Sequence, residues 1–194
     1  MKNKIWLLLL ISGGFFYACN NGDYTPKPKG YFRIDLPEKQ WEVFDSLEQF
    51  RFDYPDYAVV SVDQASHKGD TWVDIYYTPF NAVLHLSYKV IAGNFNTYVE
   101  DTRTLALQHL PKANTINDSV FYLPDRAMAG IMYQIGGKGV ASPIQFYASD
   151  STRHFIRGAL YFNFRPNNDS IAPVIQYVKH DLLHFIRSIE WKEE

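Results

Sequence analysis

TWVDIYYTPFNAVLHLSYKV, residues 71–90, carries the pattern that decides the fold. In its first seven residues Val73, Ile75 and Tyr77 alternate with Asp74 and Tyr76. In its last nine, Leu84, Leu86, Tyr88 and Val90 alternate with His85, Ser87 and Lys89. A period of two puts each apolar set on one face of a strand. TPFN between the runs supplies turn residues, so the stretch predicts an antiparallel hairpin with one apolar face. On that register Asp74 and His85 face each other as a surface pair.

Working outward towards the C-terminus, Gly93 breaks the run. Asn94 or Asn96 is placed to cap a helix reaching about Leu110. Phe95, Val99, Thr102, Ala106 and Leu110 line one face, with Glu100, Asp101, Thr104 and Gln108 opposite, and Pro111 stops it. Four strand candidates follow: SVFYL (119–123), AMAGIMYQI (127–135), ASPIQFYAS (141–149) and RHFIRGALYFN (153–163). GGKG (136–139) and SDST (149–152) read as hairpin turns. After the loop RPNND (165–169), an amphipathic helix is expected from about Ile171 to Trp191. Its stripe is Ile171, Val174, Val178, Leu182, Phe185 and Ile189. Towards the N-terminus, FRIDL (32–36), RFDYP (51–55) and YAVVSV (57–62) read as further short strands.

Strands joined by short turns pair antiparallel, and amphipathic helices cover the resulting sheet. The fold class is therefore α+β, an antiparallel β-sheet flanked by two amphipathic helices. The order of elements is similar to the PsbP/Mog1-type fold, an analogy that does not itself give function.

The first thirty residues read differently. Lys2 and Lys4 precede Ile5–Ala18, an uncharged run of 14 residues. A spanning helix needs about 20 apolar residues, so this run fits a signal-peptide core instead. It ends at small Ala18 and at Cys19, the single cysteine of the chain. Phe16 stands three before the cysteine, where an aliphatic residue is usual. A lone cysteine cannot form an internal disulfide, and its place at the end of a signal core points to lipidation. Residues 1–18 are expected to be removed and Cys19 to carry acyl chains such as palmitate, anchoring the mature protein to a membrane. Asn20, in place of an inner-membrane retention Asp, favours the outer membrane. Asp23 is only a weak surface-export signal, so the periplasmic face is expected. Residues 19–30 form a Pro-rich tether in which Pro26 and Pro28 favour extended chain, roughly 30 Å long. Lys27 and Lys29 are placed to touch anionic headgroups or to remain solvated. Residues 31–194 are expected to form a single periplasmic α+β domain. The chain has Lys+Arg 19 against Asp+Glu 21. Losing Lys2 and Lys4 makes the mature chain more acidic, and nothing in this balance argues for nucleic acid.

Catalytic lookalikes are few. HDLLH, His180 to His184, places two histidines one helical turn apart, with Asp181 where a zinc protease carries Glu. His180, His184, Arg187 and Trp191 fall opposite the apolar stripe, towards solvent or a partner. Glu190, Glu193 and Glu194 are the candidates for a third ligand, and a zinc centre at His180, Asp181 and His184 is set aside on that geometry. GGKG lacks the rest of a phosphate loop, so Gly136, Gly137 and Gly139 are assigned to positive φ values. No nucleophile elbow occurs. Carboxylates such as Asp70 and Asp74 suggest no glycosidase pair. Neither cofactor nor metal is implied. Trp72, Tyr76, Tyr77 and Tyr88 admit an alternative, stacking on cell-wall glycan or holding a small apolar ligand, against their reading as packing residues.

YTPKPKGYFRIDLPEK (24–39), just after the cysteine, resembles the gliding motility lipoproteins GldD of Bacteroidetes. The likeness continues through FDYP (52–55) and the 71–90 hairpin. It implies an envelope lipoprotein needed for gliding and linked to type IX secretion, which exports motility adhesins. Its partners would be other subunits of that machinery, and it would not be an enzyme. Only Cys19 transfers as a functional position. Pro26 to Pro37 match the family block, and an extended segment of this kind suits docking along another subunit.

Overall fold

The structure, a computed structural model, describes residues 30, 31, 33–63 and 70–192. The expected signal peptide, Cys19 and nearly all of the tether lie outside the described residues, as do Phe32, Glu193 and Glu194. Arg33–Glu194 forms the unit described below. Its strands and helices are, in order, β1 Trp41–Phe44, β2 Phe50–Pro55, β3 Ala58–Asp63, β4 Thr71–Tyr77, β5 Ala82–Val90, α1 Phe95–Leu107, β6 Thr115–Leu123, β7 Met128–Gly136, β8 Ile144–Ser149, β9 His154–Phe162, α2 Ala172–Ser188 and β10 Glu190–Trp191.

The hairpin that anchors the sequence reading is β4–β5, with Asp74 opposite His85. TPF makes one 3-10 turn, and Asn81 closes it at φ 47°. Asn tolerates that left-handed geometry better than most side chains. Outwards from the hairpin, seven strands run in the order β3-β4-β5-β9-β8-β7-β6, every neighbour antiparallel. A second sheet, β1-β2-β10, was not expected. The two residues of β10 are too few to show a period.

Both helices lie on the large sheet, on opposite faces. Leu84, Leu86, Tyr88, Phe146, Ile156 and Leu160 point to the face under α2. There they meet Val178, Leu182 and Phe185 of α2, together with Phe50 and Phe52 of β2. Each such side chain contributes roughly 1.5–3 kcal/mol by leaving water. On the other face, Ala106 of α1 joins Tyr133, Ile135 and Val140, while Phe95, Tyr98 and Val99 pack on Tyr147 and Phe155. β8 is therefore buried at every position. α1 is a partial cover: its packing partners lie on β7, β8 and β9, and Trp72, Tyr76 and His85 on the same face of β4 and β5 stay exposed.

Several expectations need correction. Arg33–Leu36 of FRIDL forms no strand; Arg33–Gln40 is an irregular strap with Ile34, Pro37 and Lys39 partly buried. Pro37 has no amide to donate to a ladder. Val90 is exposed although Leu84, Leu86 and Tyr88 are buried. Asn94 holds the N-cap position of α1, but its side chain accepts from the Ala92 amide instead of capping. α1 ends at Leu107 and leaves Leu110 exposed. α2 stops at Ser188, so Trp191 belongs to β10.

The SDST turn is held by one carboxylate. Asp150 Oδ1 accepts from the amides of Thr152, Arg153 and His154 at 2.9, 2.8 and 2.8 Å. Burial pushes this carboxyl up, but the three donors outweigh it and hold its pKa below the ordinary 3.8. Asp150→Ala is expected to cost about 1–3 kcal/mol, measured by urea denaturation at neutral pH. A depressed carboxyl stabilises the fold above its unfolded pKa, and the effect is lost as pH falls through the folded pKa. The deficit of the variant should therefore shrink under acid conditions. An equal deficit at acid and neutral pH would show that the carboxylate charge is not what holds the turn.

Candidate functional site

The HDLLH segment lies on α2, and the helix separates its three polar residues. His180 is exposed. His184 is half-buried, contrary to the solvent-facing expectation. Its ring stacks on Trp41 at 3.7 Å, and its Nε2 lies 3.0 Å from Asp53 Oδ2. Asp181 points into the domain with no exposed surface. Among the described residues no three His, Cys, Asp or Glu side chains gather as a metal site. Glu190, a third-ligand candidate, pairs instead with Arg126 and Arg51, and these hold its carboxyl below the ordinary range.

Asp181 is the centre of a different arrangement. Its carboxylate receives the Lys39 ammonium and the Tyr57 hydroxyl. Burial pushes the Asp181 carboxyl up, and these two donors pull against that shift. Lys39 also donates to the Tyr177 carbonyl at 2.9 Å and lies 3.9 Å from the centre of the Tyr177 ring. The Tyr177 hydroxyl donates to the Pro37 carbonyl. The strap is thus clamped to α2 at Pro37 and Lys39. Helical phase holds a signal for this, because Asp181 is three residues after Val178 and four before Phe185, on the buried stripe.

The aromatic quartet splits by strand parity. Tyr77 and Tyr88 are core residues, 1% and 2% exposed. Trp72 and Tyr76 point the other way, 41% and 40% exposed, on the open part of the sheet. Asp74 stands beside them, 2.6 Å from His85 Nδ1, and the Tyr76 hydroxyl donates to its other oxygen at 3.1 Å. Trp72, Asp74 and His85 border a hollow that also touches Ser61, Asp63, Leu86, Ser87 and Arg157. Arg157 and Gln145, which holds it, carried no sequence signal. Both sit at ordinary alternating strand positions.

GGKG connects β7 to β8 and contains one left-handed residue of the three expected, Gly137 at φ 152°. The Asn168 side chain donates to the carbonyls of Gly137 and Val140 at 3.0 and 2.9 Å, fixing the loop. Its glycines therefore serve the shape of the connection.

Among the described residues no helix is long and apolar enough to cross a membrane. The family model described as gliding motility lipoprotein GldD matches residues 21–191. A search of curated proteins gave no match. Among solved structures, the solution structure of cyanobacterial PsbP (CyanoP) from Synechocystis is similar at 9% identity and a TM-score of 0.49, covering 83% of this chain and 98% of that one.

Proposed function

Because the chain belongs to the family of gliding motility lipoproteins GldD, we propose that it is a lipid-anchored, non-catalytic part of the gliding machinery. It works through protein–protein contacts at the periplasmic face of the outer membrane and is linked to type IX secretion. The observation that carries this reading is the family match, which spans residues 21–191. The shape of the domain is compatible with a contact role. β6 is an edge strand of nine residues, and Val120 and Tyr122 are 77% and 70% exposed on it. Open edges and exposed apolar side chains are where other chains add.

The anchor is Cys19, and its thiol is the only one in the chain that can take lipid. Cys19→Ala is expected to abolish acyl labelling, leave the signal peptide uncut and stop gliding. Metabolic labelling with a fatty acid analogue, fractionation and spreading assays read these three effects. Continued lipidation and full motility in the variant would refute the anchor assignment. Affinity capture of the tagged protein after mild crosslinking tests the partner class. Recovery of no motility or secretion component would count against it.

A further inference from the structure

Trp72, Ser87 and Arg157 stand opposite one another on β4, β5 and β9, and Asp63 extends the row to β3. The neighbouring row contains Ser61, Asp74, His85, Ala159 and Gln145. Strands lie about 4.8 Å apart, so the backbones of Trp72 and Arg157 are separated by about 10 Å. Ser87 between them is small, which leaves a gap with an indole at one end and a guanidinium at the other. The hollow has a volume of about 300 Å³, at the lower end of the range for small-ligand sites.

Arg157 is what sets its chemistry. A guanidinium stays protonated in any protein environment. Its Nη2 donates to the Gln145 side-chain oxygen at 2.8 Å, a neutral partner. Arg157 Nε and Gln145 Nε2 are both buried without an acceptor among the described residues. Asp74 is engaged by His85 and Tyr76. The nearby His109 offers no compensation: burial and then the Arg157 charge push its pKa down. A partly buried cation held only by a neutral amide favours an anion supplied from outside. A planar guanidinium takes a carboxylate through two parallel hydrogen bonds. The exposed indole of Trp72 offers an apolar face to a ring. The hydroxyls of Ser61 and Ser87 and the Asp74–His85 pair offer donors and acceptors to ring hydroxyls.

We infer that this hollow binds an acidic sugar, its pyranose ring lying against Trp72 and its carboxylate held by Arg157. This goes beyond membership of a motility family, and it stands or falls independently of the anchor.

Calorimetric titration of the intact chain with D-glucuronate, D-glucose and inorganic phosphate tests it. Glucuronate is expected to saturate in the millimolar range, with glucose and phosphate each at least about tenfold weaker. Trp72→Ala should weaken glucuronate binding about tenfold, and Arg157→Gln should remove the preference for glucuronate over glucose. Arg157 packs on Gln145, so a second variant leaves both alone. Ser87→Trp fills the gap and should abolish binding while the unfolding midpoint is kept. Failure of glucuronate to saturate would overturn the proposal. So would phosphate binding as tightly as glucuronate with Trp72→Ala indifferent, which marks a bare anion site. Binding that survives Ser87→Trp would place the ligand elsewhere and overturn it as well.

Discussion

Replacing Lys39 by alanine is expected to destabilise the domain by about 3–5 kcal/mol, the cost of leaving a buried charge without its partner. Asp181 has no exposed surface, while the Lys39 side chain is 26% exposed. The lysine is therefore the replaceable half and the aspartate the vulnerable one. Without the ammonium, the Tyr57 hydroxyl is the one hydrogen-bond donor left to the carboxylate among the described residues. The double variant Lys39→Met with Asp181→Leu removes both charges and should recover most of the loss, because a packed apolar pair can replace a buried ion pair. Urea unfolding of the four members of this cycle gives the coupling directly. The pH dependence has a definite sign. Burial already raises the Asp181 carboxyl, and losing Lys39 removes an opposing influence. A raised folded pKa means stability that is lost as pH rises, so the Lys39→Ala deficit should narrow as pH falls towards that raised value. A deficit that is small and flat with pH would mean the clamp contributes little.

The second large effect concerns Phe146 and Gly158, which face each other on β8 and β9. Phe146 is fully buried, and its ring lies 6.0 Å from that of Phe185 on α2. A Cβ on Gly158 would fall within contact of the Phe146 ring, so the missing side chain is the space the ring occupies. Phe146→Ala is expected to cost about 3–5 kcal/mol through the cavity it leaves. Gly158→Ala should cost about 1–3 kcal/mol by overpacking. The two changes share one space, so they should couple. Gly158→Ala combined with Phe146→Leu is expected to be more stable than the sum of the single losses predicts. Strict additivity in thermal or urea unfolding would disprove that the glycine is there for the ring.

The parts legible in the sequence were those where one face meets water and the other does not. β4 and β5 coincide with the alternating runs 71–77 and 82–90. The α2 stripe is buried from Val174 to Ile189. β8 was harder to read, because helices on both sides bury all six of its residues and erase the alternation. FRIDL alternates like a strand, yet Arg33–Leu36 has no ladder and Pro37 follows it. The site was legible in half. Asp74 facing His85 followed from register alone. The roles of Lys39 and Asp181 depend on a contact between residues 142 apart, which no local period encodes. Arg157 looks like any outward strand residue until its side chain is seen to be half-buried and held by Gln145 of the next strand. The division of the aromatics between core and surface was implicit in strand parity, since Tyr76 and Tyr77 are adjacent and must point opposite ways.

The clamp between strap and α2 is one of several ties between the first and last parts of the domain. Glu190 and Trp191 of β10 pair with Arg51 and Phe50 of β2. The Lys192 ammonium donates to the Leu47 carbonyl, and its backbone amide donates to Gln49. These ties join residues about 140 apart in the chain. A chain still lacking α2 and β10 has a sheet without its main cover and a β2 with one neighbour missing. Closing such long loops is entropically slow, and it cannot begin until the C-terminal segment is available. Covering the α2 face of the sheet and completing the second sheet therefore wait for Ala172–Ser188 and Glu190–Trp191.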